Sequence, residues 1–185
     1  MAQVDVELVT ERLIMRKWRP SDRGPFATMG QDPRVMEYFP ALLTPNESDE
    51  LAARADGLFG RLGFGLWALE RQDSGQFIGF TGLAPMPAGV PGSDGVEVGW
   101  RLAADHWGKG YATEAARAAL DFGFDRIGLP RVNSITALVN LRSQSVMQRL
   151  GMRRMDEFEH PRVVEGSRLR RHVRYVIEAP TSSAP

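Results

Sequence analysis

The chain has 185 residues, of which 43% are hydrophobic and 25% are charged, a composition typical of one soluble globular domain. Its 23 basic and 23 acidic residues give a formal net charge of zero, which disfavours a nucleic-acid-binding protein because phosphate contacts usually require a basic excess. There are no cysteines, and this excludes disulfides, thiolate metal sites and a cysteine nucleophile.

The composition and the ends of the chain also bear on metals and location. The three histidines, His106, His160 and His172, lack metal-ligand spacing, so we expect no metal. No apolar run approaches membrane-spanning length and the N-terminus lacks the apolar core of a signal peptide, so we expect a cytoplasmic protein with no membrane partner. The arginine- and alanine-rich composition suggests a GC-rich bacterial genome.

The first quarter of the chain predicts one strand followed by helical segments. Branched and apolar residues predict a strand over 8–18. Ser21 is a candidate cap for a helix over 22–31, and a short helical turn is predicted near 33–39.

The next helix has a clearer start. Residues 44–47 (Thr-Pro-Asn-Glu) form a capping-box sequence, which predicts a helix to about Leu62. Two runs at 64–70 and 76–84 are apolar on both faces, which favours strands in the middle of a sheet covered on both sides. The Pro/Gly-rich segment 85–94 predicts a loop.

The segment 95–102 alternates strictly and predicts a strand with two distinct faces. One face carries Val96, Val98, Trp100 and Leu102, and the other carries Glu97, Gly99 and Arg101. The remaining predicted elements are a helix at 112–127, a strand at 131–139, a helix at 141–150 and strands at 153–159 and 169–178. This order predicts an α+β fold with a mixed sheet. No repeat or linker divides the chain, so we predict one domain over 1–179 and an unstructured tail over 180–185.

The segment 107–113 (Trp-Gly-Lys-Gly-Tyr-Ala-Thr) lies between a predicted strand and a predicted helix. Its glycines allow a close backbone approach to a ligand, and the helix start offers unpaired N–H groups and the positive end of the dipole. These features favour an anion site suited to a pyrophosphate, with Lys109 at its rim. Two familiar phosphate-binding patterns do not fit: the Gly-Lys-Ser/Thr of a Walker motif is absent, and the third glycine of a dinucleotide fingerprint is missing. A glycine turn that merely connects two elements is the alternative interpretation.

Three ordered blocks resemble the GCN5-related N-acetyltransferase (GNAT) superfamily, and more narrowly its RimJ/RimL-like branch. The first is Thr10–Arg16, similar to the branch's first strand. The second comprises Glu97–Leu102 and His106–Ala115, similar to the acetyl-CoA-binding motif. The third is Asn140–Ser143 leading to Leu150–Met152, similar to an Asn-x-x-Ser and Leu-Gly-Phe signature.

Two residues depart from the family's pattern. Trp107 stands where the general superfamily has Gln or Arg, a substitution that is familiar in the RimJ/RimL-like branch. Met152 replaces the usual Phe, which is a conservative apolar exchange. Neither change argues against cofactor binding.

The resemblance implies a GNAT fold, with a mixed, mostly antiparallel sheet of six to seven strands that is splayed at the centre and flanked by helices. The splay would lie between 95–102 and 131–139, and acetyl-CoA would bind there as the acyl donor. Its pantetheine would pair with the backbone of 100–102, its pyrophosphate would contact the amides of 108–113, and Asn140 would bind the pantetheine arm. The implied cofactor-binding residues are Trp100, Arg101, Leu102, Trp107, Gly108, Lys109, Gly110, Tyr111, Ala112, Thr113 and Asn140.

The implied reaction is direct attack of a primary amine on the acetyl thioester, which requires a base for the amine and an acid for the leaving thiolate. Glu97 is the first candidate for the base, directly or through a water; the alternative is a structural pair with an arginine such as Arg101. The Glu157–His160 region, with Glu159 and His160, is a second location for the base. Ser143 is the candidate acid, although serine is also simply favourable in a first helical turn.

The acceptor stays open at this point: a protein N-terminal α-amine and a small-molecule amine both fit the resemblance. The arginines at 162–174 could receive an acidic substrate, but a solvated strand face also explains them. A non-catalytic acyl-CoA-binding sensor or scaffold module is the alternative function. The resemblance is also compatible with a homodimer, since many proteins of the family pair through sheet edges.

Overall fold

The computed structural model describes residues 6–180, which form an eight-stranded sheet flanked by four α-helices. The strands are β1 (Leu8–Val9), β2 (Leu13–Arg16), β3 (Leu66–Arg71), β4 (Phe77–Pro85), β5 (Val96–Leu102), β6 (Arg131–Ala137), β7 (Arg153–Glu159) and β8 (Arg171–Glu178). The helices are α1 (Arg23–Gln31), α2 (Pro45–Leu62), α3 (Tyr111–Phe122) and α4 (Leu141–Arg149). In this part of the chain no helix is long and apolar enough to cross a membrane.

The sheet order is β1-β2-β3-β4-β5-β6-β8-β7, and within residues 6–180 only β5 and β6 pair in parallel. The predicted α+β fold with a mixed, mostly antiparallel sheet is therefore confirmed. The division into one domain over 1–179 stays a prediction, and residues 181–185 of the predicted tail lie outside the described residues.

The segment predicted as one strand over 8–18 forms two strands instead. The Thr10 backbone N–H donates to the Leu13 carbonyl at 2.9 Å, and the chain reverses so that β1 pairs antiparallel with β2. Thr10 and its neighbours thus make a tight turn that alternation of apolar residues does not reveal. This extra strand is why the described sheet has eight strands rather than six to seven.

The two predicted helix starts have different outcomes. The capping box is confirmed, because the Glu47 N–H donates to Thr44 Oγ1 at 3.3 Å and the Thr44 N–H donates to Glu47 Oε2 at 2.7 Å. Ser21 does not cap α1 and lies instead inside a 3-10 turn over Pro20–Asp22. Proline fixes its φ near the helical range, so the turn begins before the serine.

The end of α3 is also different from the prediction. The α-helix ends at Phe122 and continues as one π-helical turn over Gly123–Ile127. Gly123 is buried, and a Cβ atom there would lie 3.0 Å from the Leu83 side chain. Gly123 therefore allows this turn to pack closely on β4, and the whole segment ends at Gly128 as predicted.

The sheet is covered on both faces, as the apolar runs at 64–70 and 76–84 predict. On one face Trp67, Leu83 and Val98 belong to the cluster that includes α3. On the other face Phe80 packs with Phe26 and other residues of α1 and α2. Burying these strands on both sides fixes the position of β5, which leads into the cleft.

The parallel strands β5 and β6 separate almost immediately. Within the described residues their register pairing consists of Glu97 opposite Asn133. Two side chains extend this contact: Asn133 Nδ2 donates to the Val96 carbonyl at 3.1 Å and Ser134 Oγ donates to the Val98 carbonyl at 2.9 Å. Beyond Val98 the strands diverge, which confirms the expected central splay and opens a cleft beside β5.

Candidate functional site

A cleft of about 1210 Å³ occupies the splay between β5 and β6. It is bounded by β5, the loop before α3, the start of α4, residues 34–40 and the loop between β7 and β8. The predicted site residues that line it are Glu97, Trp100, Arg101, Leu102, Trp107, Gly108, Gly110, Tyr111, Ala112, Thr113, Asn140 and Ser143. Residues that are widely separated in sequence therefore meet in one cavity.

Lys109 is the exception. Its Nζ donates to the Asp105 carbonyl at 3.0 Å, and its own carbonyl accepts a hydrogen bond from Arg12 Nη1 at 2.8 Å. The side chain is exposed and lies outside the set of described residues that line the cleft. Its contribution to anion binding stays a prediction.

The loop before α3 has the conformation that an anion site requires. Gly108 and Gly110 have φ values of 72° and 82°, in the left-handed region that favours glycine. Gly110 is the N-cap of α3, and no side chain in the described structure caps it. The amides of the first turn are therefore available to a ligand, at the positive end of the helix dipole.

The conformation of this loop is held by the turn between β1 and β2, a contribution that sequence reasoning missed. Arg12 Nε donates to Glu114 Oε2 at 2.7 Å and Thr10 Oγ1 donates to Glu114 Oε1 at 2.6 Å. Burial opposes ionisation of Glu114, but these hydrogen bonds outweigh it and hold the pKa of the carboxyl below its usual range. The Arg12 guanidinium also lies 4.7 Å from the Tyr111 ring centroid. The Thr10–Arg16 block was the available signal, although it indicated only a strand.

Trp107 anchors the same loop to the end of β5. Its Nε1 donates to the Leu102 carbonyl at 2.9 Å, and the Arg142 guanidinium lies 4.8 Å from its ring centroid. The indole therefore connects β5, the glycine loop and the start of α4. This gives a structural reason for tryptophan at the position where the general superfamily has Gln or Arg.

Glu97 is the candidate base, and it is half-buried on the cleft side of β5. Among the described residues it has neither a hydrogen-bonding side-chain partner nor an ion pair, so the alternative of a structural pair with Arg101 does not occur. Burial raises the pKa of Glu97 to about 7. A carboxyl with a pKa near neutrality can take up and release a proton under ordinary conditions.

The second candidate region for the base is only partly in the cleft. Glu157 is paired with Arg171, and Glu159 is paired with Arg170 at 2.7 Å. Neither glutamate belongs to the described residues that line the cleft, whereas His160 does.

The His160 ring lies beside another histidine of the cleft. Its ring centroid is 4.7 Å from that of His172. Burial, followed by the neighbouring charge of His172, lowers the pKa of His160. The imidazole is therefore neutral at neutral pH and is the one group of this region that the fold brings to the cleft lining.

Asn140 and Ser143 lie together at the start of α4. Asn140 Oδ1 accepts a hydrogen bond from the Ser143 N–H at 3.2 Å, and its Nδ2 donates to Thr136 Oγ1 at 3.0 Å. Asn140 is thus the N-cap of the helix and retains one acceptor lone pair on Oδ1. The Ser143 side chain is half-buried at the cleft.

The environment of the Arg101 side chain was not anticipated, since sequence reasoning considered this side chain only as a structural partner of Glu97. Its Cζ lies 4.1 Å from the Phe39 ring centroid and 5.5 Å from the Phe80 ring centroid. Its Nε and Nη1 are buried without a hydrogen-bond partner among the described residues. Burial lowers the pKa of Arg101 to about 10, so the guanidinium is still charged at neutral pH.

The described residues contain no group of three or more histidine, aspartate or glutamate side chains arranged to hold a metal ion. The polar groups that line the cleft are instead backbone amides, hydroxyls, the Asn140 amide, imidazoles, carboxyls and guanidinium groups. Such a set suits an anionic, hydrogen-bonding ligand together with a reacting amine.

Comparison with known proteins identifies the family. The acetyltransferase (GNAT) domain matches residues 12–153 of the chain. The uncharacterized protein YkkB of Bacillus subtilis is 31% identical over 147 residues, which cover 79% of this chain and 84% of that protein.

Solved structures share the fold. The crystal structure of a GNAT-family acetyltransferase from Bacillus anthracis has a TM-score of 0.79 at 24% identity and covers 94% of this chain and 99% of its own. A ribosomal-protein-S5-alanine acetyltransferase from Vibrio fischeri has a TM-score of 0.76 at 18% identity, and the match covers 96% of this chain and 98% of that protein. With the family match over most of the chain, these findings establish that the protein belongs to the GNAT family of acetyltransferases, which are acyltransferases that use acetyl-CoA as the donor.

Proposed function

We propose that this protein transfers the acetyl group of acetyl-CoA directly to a primary amine, and that Glu97 is the base that receives the amine proton. The observation that carries the proposal is the position of Glu97. It is half-buried at the apex of the splay, lines the cleft and has a pKa of about 7 because of its burial.

The residues present fit the donor. The splay leaves the backbone of Gly99–Leu102 without a neighbouring strand on the β6 side among the described residues, and this backbone can pair with the amide groups of pantetheine. The loop around Gly108 and Gly110 exposes the free amides of the α3 N-terminus, which suit a pyrophosphate. Acetyl-CoA supplies the activated acyl group when it is bound.

Glu97 would prepare the acceptor. An amine that enters as an ammonium ion must lose a proton before it can attack, and an ionised Glu97 can accept this proton directly or through one water. Gly99 lies two residues further along the same face, and a Cβ atom there would meet nothing within 4 Å. This open space beside the base can admit the reacting groups. Unpaired backbone N–H groups of β5 are suitably placed to stabilise developing negative charge on the acetyl oxygen.

Ser143 is our proposed acid for the leaving thiolate. It lies at the cleft in the first turn of α4, next to the cap formed by Asn140. Tyr111 is a less suitable acid because its ring is buried beneath the Arg12 guanidinium. The positive end of the α4 dipole would further favour negative charge near Ser143.

The alternative function is a non-catalytic module that binds acyl-CoA as a sensor or scaffold. It would use the same loop and the same splay, but it would need no base. A half-buried carboxyl with a raised pKa in the cleft carries an electrostatic cost that binding alone does not require. This observation favours the enzyme.

Two measurements test the proposal. Isothermal titration of acetyl-CoA, with NAD and ATP as controls, should show saturable binding of acetyl-CoA alone. Release of free CoA thiol should then be followed with a library of peptides and small amines, for the wild type and for Glu97→Gln. Amine-dependent thiol release that is strongly reduced in Glu97→Gln supports the enzyme. Binding of acetyl-CoA without turnover of any amine would favour the sensor.

A further inference from the structure

We infer that the acceptor amine also bears an anionic oxyacid group, a carboxylate or a phosphate, and that Arg101 binds this group. The inference rests on the proposed transfer to a primary amine and specifies the chemical class of its acceptor.

Arg101 has a defined position in the cleft. It lies on β5 on the same face as Glu97 and Gly99, and its register partner on β4 is Phe80. Its side chain is half-buried and lines the cleft, with Phe39 covering the guanidinium at 4.1 Å. The cation therefore belongs to the cavity and is shielded from bulk water on the sides that these rings occupy.

The side-chain hydrogen-bonding groups of Arg101 lack partners among the described residues. Nε and Nη1 are buried without an acceptor, and no carboxylate within residues 6–180 forms an ion pair with this guanidinium. Aromatic rings stabilise the cation only in part, and a buried charge without a partner is costly. The cost is offset if an anionic ligand supplies the missing negative charge from the side of the guanidinium that faces the cleft.

Arg101 differs from the other arginines in and near the cleft. Three arginines at the start of β8 are each paired with a carboxylate of β7: Arg170, directly before the strand, and Arg171 and Arg174 within it. Arg34 and Arg142, which line the cleft, are paired with Asp32 and Glu37. Three of the arginines in 162–174 are therefore already neutralised by carboxylates, which leaves fewer of them to receive an acidic substrate.

Two more arginines, Arg149 and Arg162, line the cleft, but their side chains are exposed, so water competes for their hydrogen bonds. Arg101 is thus the half-buried arginine of the described cleft that lacks a counter-ion. In this shielded position a bound anion would contribute more than at an exposed arginine.

Arg101 and the candidate base both line the cleft from β5. Glu97 and Arg101 are four residues apart on one strand face, so their Cα atoms are about 13 Å apart. Gly99 lies midway and leaves open space. One small acceptor can therefore place its amine near Glu97 and its anionic group near Arg101. A guanidinium binds carboxylate or phosphate through paired N–H groups, and it repels an acceptor that carries only positive charges.

The test uses amines in matched pairs at equal concentration of acetyl-CoA. The α- and ω-amino acids are compared with their carboxamides, and aminoalkyl phosphates are compared with the corresponding amino alcohols. The wild type should prefer the anionic member of at least one class by roughly 10- to 100-fold in kcat/KM. Which class is preferred distinguishes a carboxylate from a phosphate.

The variants are Arg101→Met, Arg101→Lys and, as a matched control, Arg126→Met. Arg126 is exposed on the π-helical turn and outside the described cleft lining, so its loss changes the net charge equally. In Arg101→Met the ratio of kcat/KM between the two members of a pair should fall to about one. Arg101→Lys should retain part of the preference, and Arg126→Met should retain all of it. Circular dichroism and acetyl-CoA binding verify that each variant is folded.

The outcomes separate the two proposals. If neutral amines are acetylated as well as their anionic partners by the wild type, the role of Arg101 is overturned and the transferase proposal stands. If the anionic preference survives in Arg101→Met, another group binds the anion and the inference is also overturned. If acetyl-CoA binds but no amine of either kind is acetylated, the proposed function fails and the acceptor class fails with it. If Arg101→Met does not fold, the kcat/KM values of the paired amines with the wild type and with Arg101→Lys still test the inference.

Discussion

Glu97 on β5 and Asn133 on β6 are register partners, and within the described residues theirs is the pair that joins these two parallel strands. Asn133 also donates to the Val96 carbonyl at 3.1 Å and accepts from Arg174 at 3.0 Å. The buried asparagine therefore fixes the apex of the splay from both sides. The candidate base is located within the short segment where the strands are joined, one residue before they diverge at Val98.

The first prediction concerns the pH dependence of turnover. If Glu97 is the base, kcat/KM for the amine should rise with pH and level off above about 7, where this carboxyl is ionised. Glu97→Gln should lower kcat/KM at pH 8 by roughly 100-fold and remove this limb of the profile. Initial rates of thiol release between pH 5 and pH 9 measure both effects.

Glu178→Gln is a suitable control, because Glu178 is exposed at the end of β8 and paired with Arg131. It should preserve the wild-type profile. A limb near pH 7 that persists in Glu97→Gln would place the base elsewhere, and His160 would be the next residue to replace.

The second prediction concerns the free energy of unfolding and needs no substrate. The pKa of Glu97 is raised from 4.5 to about 7 on folding, so the folded state binds this proton more tightly than the unfolded state. Ionisation consequently destabilises the fold as pH rises from about 4.5 to about 7. The Glu97→Gln variant lacks this effect. Between pH 5 and pH 8 its free energy of unfolding should therefore rise by about 1–3 kcal/mol relative to that of the wild type.

Urea unfolding of both proteins at several pH values measures the difference. The sign is decisive: the variant's relative stability must increase with pH. A difference that is constant with pH would mean that Glu97 is ionised as easily in the fold as in the unfolded chain.

The third prediction concerns the glycine loop. Gly108→Ala forces a Cβ atom onto a residue with a φ of 72°, which strains the loop whose amides would hold the pyrophosphate. We expect acetyl-CoA affinity to fall by roughly 10-fold, in line with about 1–2 kcal/mol of left-handed strain. Isothermal titration measures the change in Kd.

The control for this substitution is Gly128→Ala. Gly128 has a φ of 76°, and a Cβ atom at either glycine would meet nothing within 4 Å. Both variants should therefore lose similar stability. Equal loss of acetyl-CoA affinity in the two would show that general destabilisation, not the loop, is responsible.

The fourth prediction concerns the leaving thiolate. Ser143→Ala should lower kcat by roughly 100-fold, because protonation of a leaving group by a positioned acid contributes on this order, while acetyl-CoA Kd changes little. Ser145→Ala is the control, since Ser145 is on the same helix and its Oγ already donates to the Leu141 carbonyl at 2.9 Å. An unchanged kcat in Ser143→Ala would leave Ser143 as a residue of the first helical turn.

The sequence by itself determined the local features of this protein. The capping box at Thr44 and Glu47, the two faces of β5 and the glycine loop before α3 were all predictable. Each depends on residues a few positions apart, whose conformational preferences act within one element. The ordered motif blocks extended these local features to the GNAT family, which the family match confirms.

The tertiary structure alone decided which of these residues are available for chemistry. The strand pattern places Glu97 and Arg101 on one face, yet it does not show that both lack a counter-ion while Glu157 and Glu159 are paired. Nor does it show that Phe39 covers Arg101 or that Arg12 holds the glycine loop. These contacts join segments far apart in sequence, and the burial that shifts the pKa of Glu97 exists only after the whole sheet has assembled.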